Sequence, residues 1–206
     1  MDLYEAIARR RDTRAEFTGE PLPDDVLARV LGAAHRAPSV GMSQPWAFVT
    51  VREPATLSAF RDHVAAERQV FADSLSDERA DTFRGIKVEG IVESGLGIVV
   101  GHDPTTAGEV VLGRHAIADT SLYSVCLAIQ NLWLAATAEG VGVGWVSFYR
   151  EEFLADLVGL PPHVRPVAWL CVGPVAELQE VPDLERFGWR ARGPLERVLH
   201  RERYGG

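Results

Sequence analysis

The sequence contains little cysteine and shows no metal-binding pattern. Only two of its 206 residues are cysteine, Cys126 and Cys171, and they form no Cys-x-x-Cys pair. This excludes a disulfide framework and a thiolate metal site. Both cysteines lie in apolar runs, which predicts buried and unreactive thiols. The six histidines show no His-x-x-x-His spacing, so we expect no bound metal.

Long apolar runs and targeting segments are also missing. No uninterrupted apolar run approaches the roughly 18 to 20 residues that a membrane-spanning helix requires. The first eleven residues place their arginines after the apolar residues, in the reverse order of a secretory signal. We therefore expect a cytoplasmic protein. The sequence contains neither G-x-G-x-x-G nor a Walker A motif, so it does not indicate a nucleotide site of either type.

The overall charge is acidic, and this makes local basic clusters informative. The net charge of −8 excludes a general attraction to nucleic acid or anionic membranes. With 47% apolar residues, the chain is long enough to form one globular domain over residues 1–206. Arginines gather near both ends of the chain, where they either bind an anion or form solvated faces. The clusters are Arg9, Arg10, Arg11 and Arg14, then Arg186, Arg190, Arg192 and Arg197.

Helices predominate over strands in the hydrophobic pattern. No strand–helix–strand rhythm is present, so we predict an α+β fold. Asp24 is predicted to cap the second helix. The predicted helices cover residues 2–11, 24–36, 55–72, 76–93, 118–139 and 151–158, and the predicted strands cover 46–51, 95–101, 142–147 and 166–173.

The helix predicted over residues 118–139 is apolar on two sides. Ile129 and Trp133 belong to one stripe, whereas Leu127 and Leu134 belong to another. A helix with two apolar stripes must be buried on both sides. It is therefore the spine of the fold or part of a dimer core.

The last thirty residues, from about 177 to 206, are typical of an extended arm. They contain several turn-forming residues, and they carry apolar side chains such as Leu184 and Trp189 that need a surface to cover. This surface belongs to a partner subunit or to the chain's own core.

Two early segments could carry chemistry. In the segment RRDTR, residues 10–14, the arginines suit phosphate, whereas Asp12 could be a reactive carboxylate or a local ion-pair partner. The segment APSVGMSQPW, residues 37–46, offers Ser39 and Gln44 to a polar ligand or forms a simple turn.

The third segment is GVGWVSF, residues 142–148. Its glycines would allow a flat ligand to approach the backbone closely. Ser147 lacks the flanking Gly-x-Ser-x-Gly pattern of an activated serine, which makes it a poor nucleophile.

Taken in order, these segments and the late RARGPLE resemble the FMN-dependent nitroreductase family. Within that family they are more similar to the branch of the 5,6-dimethylbenzimidazole synthases. The closer likeness rests on Asp12, on AAHRAPSVGMSQPW, IKVEGI and YSVCLAIQNLWLAA, and on GVGWVSF. One departure is the stretch HAIADTSLYS, where the branch often has a proline and this chain has none.

The resemblance implies a nitroreductase-like α+β fold. This fold has a central, mostly antiparallel sheet flanked by helices, a long central helix, and a C-terminal arm, residues 177–206, that crosses to a partner subunit. It implies a homodimer with two FMN sites at the subunit interface, and it implies no metal.

In the synthase branch, reduced FMN is the substrate and O2 the co-substrate, and a separate flavin reductase could supply the reduced FMN. The alternatives are a general NAD(P)H nitroreductase with FMN as cofactor and a non-catalytic flavin-binding protein.

The resemblance also implies the residues of the site. Asp12 and Ser147 would be catalytic, with Asp12 moving a proton near the junction of the ribityl chain and the ring, and Ser147 orienting the ring. The residues implied to bind FMN are Arg10, Arg11, Asp12, Thr13, Arg14, Ser39, Gln44, Lys87, Val88, Gly144, Ser147, Arg190 and Arg192.

Overall fold

The chain folds around a four-stranded sheet in which every neighbouring pair of strands is antiparallel. The structure is a computed structural model that describes residues 1–205. The spatial order of the strands is β1-β2-β4-β3, so β1 and β3 form the two edges. The strands are β1 (Trp46–Val51), β2 (Gly97–His102), β3 (Val141–Val146) and β4 (Arg165–Pro174).

Helices cover both faces of this sheet. The helices are α1 (Leu3–Arg9), α2 (Asp24–His35), α3 (Pro54–Asp73), α4 (Asp77–Arg84), α5 (Thr120–Ala138), α6 (Glu151–Val158) and α7 (Asp183–Arg186). Side chains of β2 alternate between two cores, with Ile98 and Val100 packing against α2 and α5, and Val99 packing against α3 and α6. The predicted α+β class is therefore confirmed.

Two predictions about helix boundaries need correction. The residue that precedes α2 is Pro23, and no side chain caps this helix; Asp24 is its first helical residue and accepts a hydrogen bond from Arg52 (3.2 Å). In the region predicted as helical over residues 76–93, only Asp77–Arg84 is helical. The helix ends at Gly85, and the chain then turns towards β2.

Helix α5 is buried on one side only. Val125, Ile129 and Leu132 are inaccessible, whereas Tyr123 and Leu127 are 54% and 47% exposed. Its most apolar 18-residue window reaches a mean hydropathy of 1.2, so by length and composition it could cross a membrane. Polar residues such as Gln130 and Asn131 interrupt this helix, so the statement about uninterrupted apolar runs stands. The helix packs on α2 and on the sheet, as a core helix does.

The two cysteines differ in their surroundings. Cys171 lies in β4, and burial raises the pKa of its thiol to about 12. Cys126 lies on the uncovered side of α5 and is exposed. The prediction of two buried thiols is thus confirmed for Cys171 and wrong for Cys126.

The N-terminal segment after α1 runs along the sheet. The Thr13 amide donates to the Val143 carbonyl (2.9 Å), and the Thr18 amide donates to the Pro174 carbonyl (3.0 Å). Asp12 thereby forms a parallel bridge to Val143 in the edge strand β3. These bonds fix residues 12–18 against the edge of the sheet.

The C-terminal arm begins on the chain's own core. Asp183 is held by Arg186 (2.7 Å) and lies 4.0 Å from Arg14. Trp189 packs beside Phe71 and Phe83. Farther along, Leu195, Val198, Leu199 and Tyr204 are 60% to 94% exposed. The crossing of the arm to a partner remains a prediction.

Candidate active site

Asp12 is the most constrained carboxylate of the predicted site. Its Oδ1 accepts the Trp145 amide hydrogen (2.9 Å), and its Oδ2 accepts a hydrogen bond from Arg14. Burial raises the pKa of Asp12, while Arg14, the Trp145 amide and Arg10 act in the opposite direction. Still, 32% of the side chain is accessible, which leaves room for a bound molecule to contact it.

The glycines of β3 make room for this N-terminal segment. A Cβ atom on Gly144 would lie 2.2 Å from the Thr13 carbonyl oxygen, and one on Gly142 would lie 2.9 Å from the Thr13 side chain. Gly144 is small because the backbone of Thr13 crosses it, and Gly142 is small because the side chains of Val175 and Thr13 pack on it. The approach of a flat ligand to these glycines stays a prediction.

One arginine of the late cluster, Arg192, lies near the early cluster. Arg11 donates to the carbonyls of Ala8 (2.7 Å) and Glu180. Burial lowers the pKa of Arg11, and the nearby charges of Arg10 and Arg192 lower it further. Arg10 also lies over the Trp133 ring, 4.9 Å from its centroid. The structure thus brings the early cluster and Arg192 into one positive region.

A cavity of about 190 Å³ opens next to Ser147. We call it the aromatic cavity. Three elements distant in sequence contribute most of its wall, and Arg14 and Ser147 are its polar members. Its lining residues are Arg14, Phe71, Phe83, Ile86, Val88, Trp145, Ser147, Phe148, Leu184 and Trp189.

Lys87 and Val88 are adjacent in sequence but differ in their contacts. Val88 is buried and lines the aromatic cavity. Lys87 forms an ion pair with Glu93. Arg190 is exposed. Its backbone amide donates to the Leu184 carbonyl (3.0 Å) in the turn after α7.

Ser39 and Gln44 lie at the other edge of the sheet. Ser39 Oγ accepts the Gln44 amide hydrogen (3.0 Å), and Gln44 lines a separate crevice with His35 and Trp46 at the start of β1. Because β1 and β3 are separated by three strand spacings, the two edges lie about 14 Å apart. One chain therefore does not bring all the predicted FMN contacts together.

The sequence was compared with known protein families. The sequence matches the Nitroreductase family over residues 7–174. The chain belongs to the nitroreductase family.

Relatives within the family differ in their names. A protein of Rhodospirillum rubrum named 5,6-dimethylbenzimidazole synthase is 38% identical over 185 residues, which are 90% of this chain and 87% of that protein. A protein of Thermus thermophilus named NADH dehydrogenase is 39% identical over 210 residues, or 97% of this chain and 95% of that protein.

The fold comparison agrees with the family. The crystal structure of oxidized iodotyrosine deiodinase bound to FMN and 3-iodo-L-tyrosine superimposes with a TM-score of 0.77. It is 20% identical, with 98% of this chain and 100% of that chain covered. The predicted nitroreductase-like fold is therefore confirmed.

Several residues of the candidate site were not predicted from the sequence. Phe71, Phe83 and Trp189 wall the aromatic cavity, and Asp183 holds the arm near Arg14. Each looked like an ordinary core or surface residue, because its partners are distant in sequence. The aromatic side chains in the arm offered the only signal, since they require a surface to cover.

Proposed function

We propose that this chain is a 5,6-dimethylbenzimidazole synthase, which breaks reduced FMN with O2 into 5,6-dimethylbenzimidazole and erythrose 4-phosphate. One observation carries the proposal: a partly buried carboxylate, Asp12, is held in place between Arg14 and the Trp145 amide, and both Arg14 and Trp145 line the cavity that contains Ser147. The name of the Rhodospirillum rubrum relative supports the same activity.

The residues present suit FMN. The Nε atoms of Arg11 and Arg14 are buried, and no residue among 1–205 accepts a hydrogen bond from them. Buried guanidinium hydrogens without acceptors are costly, and an anionic or carbonyl-bearing ligand would satisfy them. Arg10, Arg11 and Arg192 would hold the phosphate. Arg14, Val88 and Ser147 would contact the ring system.

Reduced FMN, when bound, supplies both the electrons for O2 and the ring that is broken. Asp12 then has the features of a proton acceptor. Its two oxygens are oriented by the Trp145 amide and by Arg14. A raised pKa makes the ionised carboxylate a stronger base than an ordinary aspartate. Ser147, which lines the cavity and is exposed, would orient the ring through its hydroxyl group.

We further propose that the protein is a homodimer that completes each site with Ser39 and Gln44 from the partner. The support is twofold. These residues lie beside the edge strand β1, whereas Asp12 bridges to the opposite edge strand β3. Apolar side chains also remain uncovered on α5 (Tyr123 and Leu127) and on α1 (Leu3 and Tyr4). Uncovered apolar side chains on this scale indicate an interface.

The deciding experiment adds photoreduced FMN and air to the purified protein and measures 5,6-dimethylbenzimidazole by mass spectrometry. Oxidised FMN serves as the control and should give no product. The Thermus thermophilus relative favours a second candidate, an NADH oxidoreductase with FMN as cofactor. Steady NADH oxidation with intact FMN and no product would establish this second candidate. Recovery of unchanged FMN in both assays would indicate a flavin-binding protein without catalysis.

A further inference from the structure

A chain of alternating charges joins Asp12 to the C-terminal arm. Arg14 donates from Nη2 to Asp12 Oδ2, and its Nη1 lies 4.0 Å from Asp183 Oδ2. Asp183 also accepts a hydrogen bond from Arg186 (2.7 Å). The side chains of Arg14 and Asp183 are only 12% and 8% exposed. Charges that are shielded from water in this way interact strongly, so the charge of Asp183 can influence Asp12.

Arg14 divides its guanidinium group between the two carboxylates. The same nitrogen, Nη1, donates to the Asp12 carbonyl (3.3 Å) and lies beside Asp183. A neighbouring positive charge favours the ionised form of a carboxyl group and weakens it as a base. Because Asp183 competes for this positive charge, Asp12 receives less than its full effect.

Asp12 and Asp183 also share a small polar cavity of about 10 Å³, which we call the acidic cavity. Its carboxylates are Asp12, Glu16, Glu177 and Asp183, and Arg11 also lines it. A space of this size holds about one water molecule, so it screens the charges poorly. Like charges that meet in such a space favour the protonated form of one of them. Asp183 therefore acts on Asp12 in the same direction by this second route.

Several other groups surround Asp12, and they differ from Asp183 in burial or in contacts. The titratable groups that face Asp12 are Arg10, Arg11, Arg14 and Glu16 from its own segment, Glu177 and Asp183 from the arm, and the Cys171 thiol of β4. Glu16 accepts the amide hydrogens of Arg14 (3.1 Å) and Ala15 (3.0 Å), and Glu177 is exposed. Asp183 is the carboxylate that is both buried and placed beside the Arg14 guanidinium.

We infer that Asp183 is a positioning residue that acts through Arg14: it draws the guanidinium away from Asp12 and so keeps the Asp12 carboxylate a strong base. This inference rests on the proposed function, in which Asp12 accepts a proton. It also connects the arm to the chemistry, because Asp183 begins α7 within the arm. Asp12 then reaches its full basicity only while this part of the arm lies on the core.

The test follows the Asp12 carboxyl group itself, by NMR titration of the purified protein labelled with isotopic aspartate. The Asp12 signal is the one that disappears in Asp12→Asn. In Asp183→Asn, which keeps the size of the side chain, the titration midpoint of Asp12 should move to lower pH by about 0.5–1 pH unit, because Arg14 then pairs with Asp12 alone. In Arg186→Gln the midpoint should move to higher pH, because Asp183 loses its other partner and attracts Arg14 more strongly.

Opposite shifts in the two variants separate this role from a structural one, since detachment of the arm would move both midpoints in the same direction. The acidic limit of product formation should move with the midpoint in each variant. Glu185→Gln is the matched control, because Glu185 is an exposed residue of the same helix outside the acidic cavity, and it should titrate like the wild type. Melting temperatures show whether the variants are folded.

An unchanged midpoint in Asp183→Asn, or shifts in one direction for Asp183→Asn and Arg186→Gln, would overturn the inference. Opposite shifts in a protein that makes no 5,6-dimethylbenzimidazole from reduced FMN and air would instead overturn the proposed function.

Discussion

The two edges of the sheet differ in how complete they are. At the β3 edge, residues from both ends of the chain converge on Asp12, and hydrogen bonds hold its carboxylate on both oxygens. At the β1 edge, the Gln44 amide donates to Ser39 Oγ, and Gln44 lines a separate crevice. The first edge has the features of a reaction centre. The second has those of a contact surface that needs a partner.

The largest expected effect is at the β3 edge. Asp12→Asn keeps the size of the side chain but cannot accept a proton at neutral pH. If Asp12 is the base, formation of 5,6-dimethylbenzimidazole should fall at least about 100-fold, because general base catalysis contributes roughly 10²–10⁴-fold. FMN should bind with similar affinity and O2 should still be consumed. Product yield and FMN binding are measured on one preparation, and a near-normal yield would rule out the proton-transfer role.

The pH dependence of product formation also tests whether Asp12 accepts a proton. Burial raises the pKa of Asp12, so its carboxylate gains a proton at a higher pH than an ordinary aspartate. Product formation should therefore decrease as the pH falls through this raised pKa. In Asp12→Asn the residual activity should lack this acidic limb. An identical limb in both proteins would assign it to another group.

A smaller effect is expected in the positive region. Arg192→Ala should weaken FMN binding roughly 10- to 150-fold, because a hydrogen bond to a charged group contributes about 1.5–3 kcal/mol. Riboflavin, which lacks the phosphate, should be affected much less. Titrations of both flavins measure the ratio. Arg61→Ala, in α3 and paired with Asp62, is the control. Equal losses for both flavins would show that Arg192 does not contact phosphate.

The difference between the edges can be tested by mixing two defective proteins. Asp12→Asn disables the β3 edge, and Ser39→Arg should block the β1 edge by its bulk. If the two variants mix at random, about half of the dimers are hybrids. Each hybrid has one site with both Asp12 and Ser39 intact, because these residues come from different subunits. The activity of the mixture should therefore return to about a quarter of that of the wild type. No recovery, or light scattering that shows only a 22.6 kDa species, would contradict the shared site.

The smallest effect is expected for the packing of the segment that carries Asp12 against β3. Gly144→Ala places a methyl group against the Thr13 carbonyl and should lower the free energy of unfolding by about 1–3 kcal/mol. Gly193→Ala meets open space among residues 1–205 and should change stability by less than about 0.5 kcal/mol. Denaturant unfolding compares the two. Equal stabilities would mean that Thr13 does not pack on β3 as closely as the structure indicates.

The elements were readable from the sequence because their signals are local. The strand Trp46–Val51 and the helix α6 were predicted from the spacing of their apolar residues and from the turn-forming residues beside them. Gly159 ends α6 in a left-handed conformation. Asp24 was misjudged as a cap because Pro23, whose ring fixes φ, precedes the helix. The exposure of Cys126 could not be predicted, because periodicity cannot say which apolar side of α5 faces the sheet.

The site was predictable only in part. The resemblance named Arg14, Val88 and Ser147, which line one cavity, and Asp12, which accepts a hydrogen bond from Arg14. The packing of Thr13 on Gly144 could not be predicted from the sequence, because the two residues lie far apart in the chain. The aromatic wall of the cavity could not be predicted, because Phe71, Phe83 and Trp189 are distant in sequence and come together only in the fold.

The hydrogen bond between Arg11 and the Glu180 carbonyl spans 169 residues of sequence. Residues 10–14 leave the ribosome first, whereas their partners in β3 and in the arm are synthesised last. Contacts of such high sequence separation form slowly, because a long loop must close before they contribute. The nascent chain can thus form α2 and β1 early, whereas Asp12 gains the Trp145 amide only after β3 is made. A chain that terminates before the arm would carry all four strands but would lack the contact between Arg11 and Glu180.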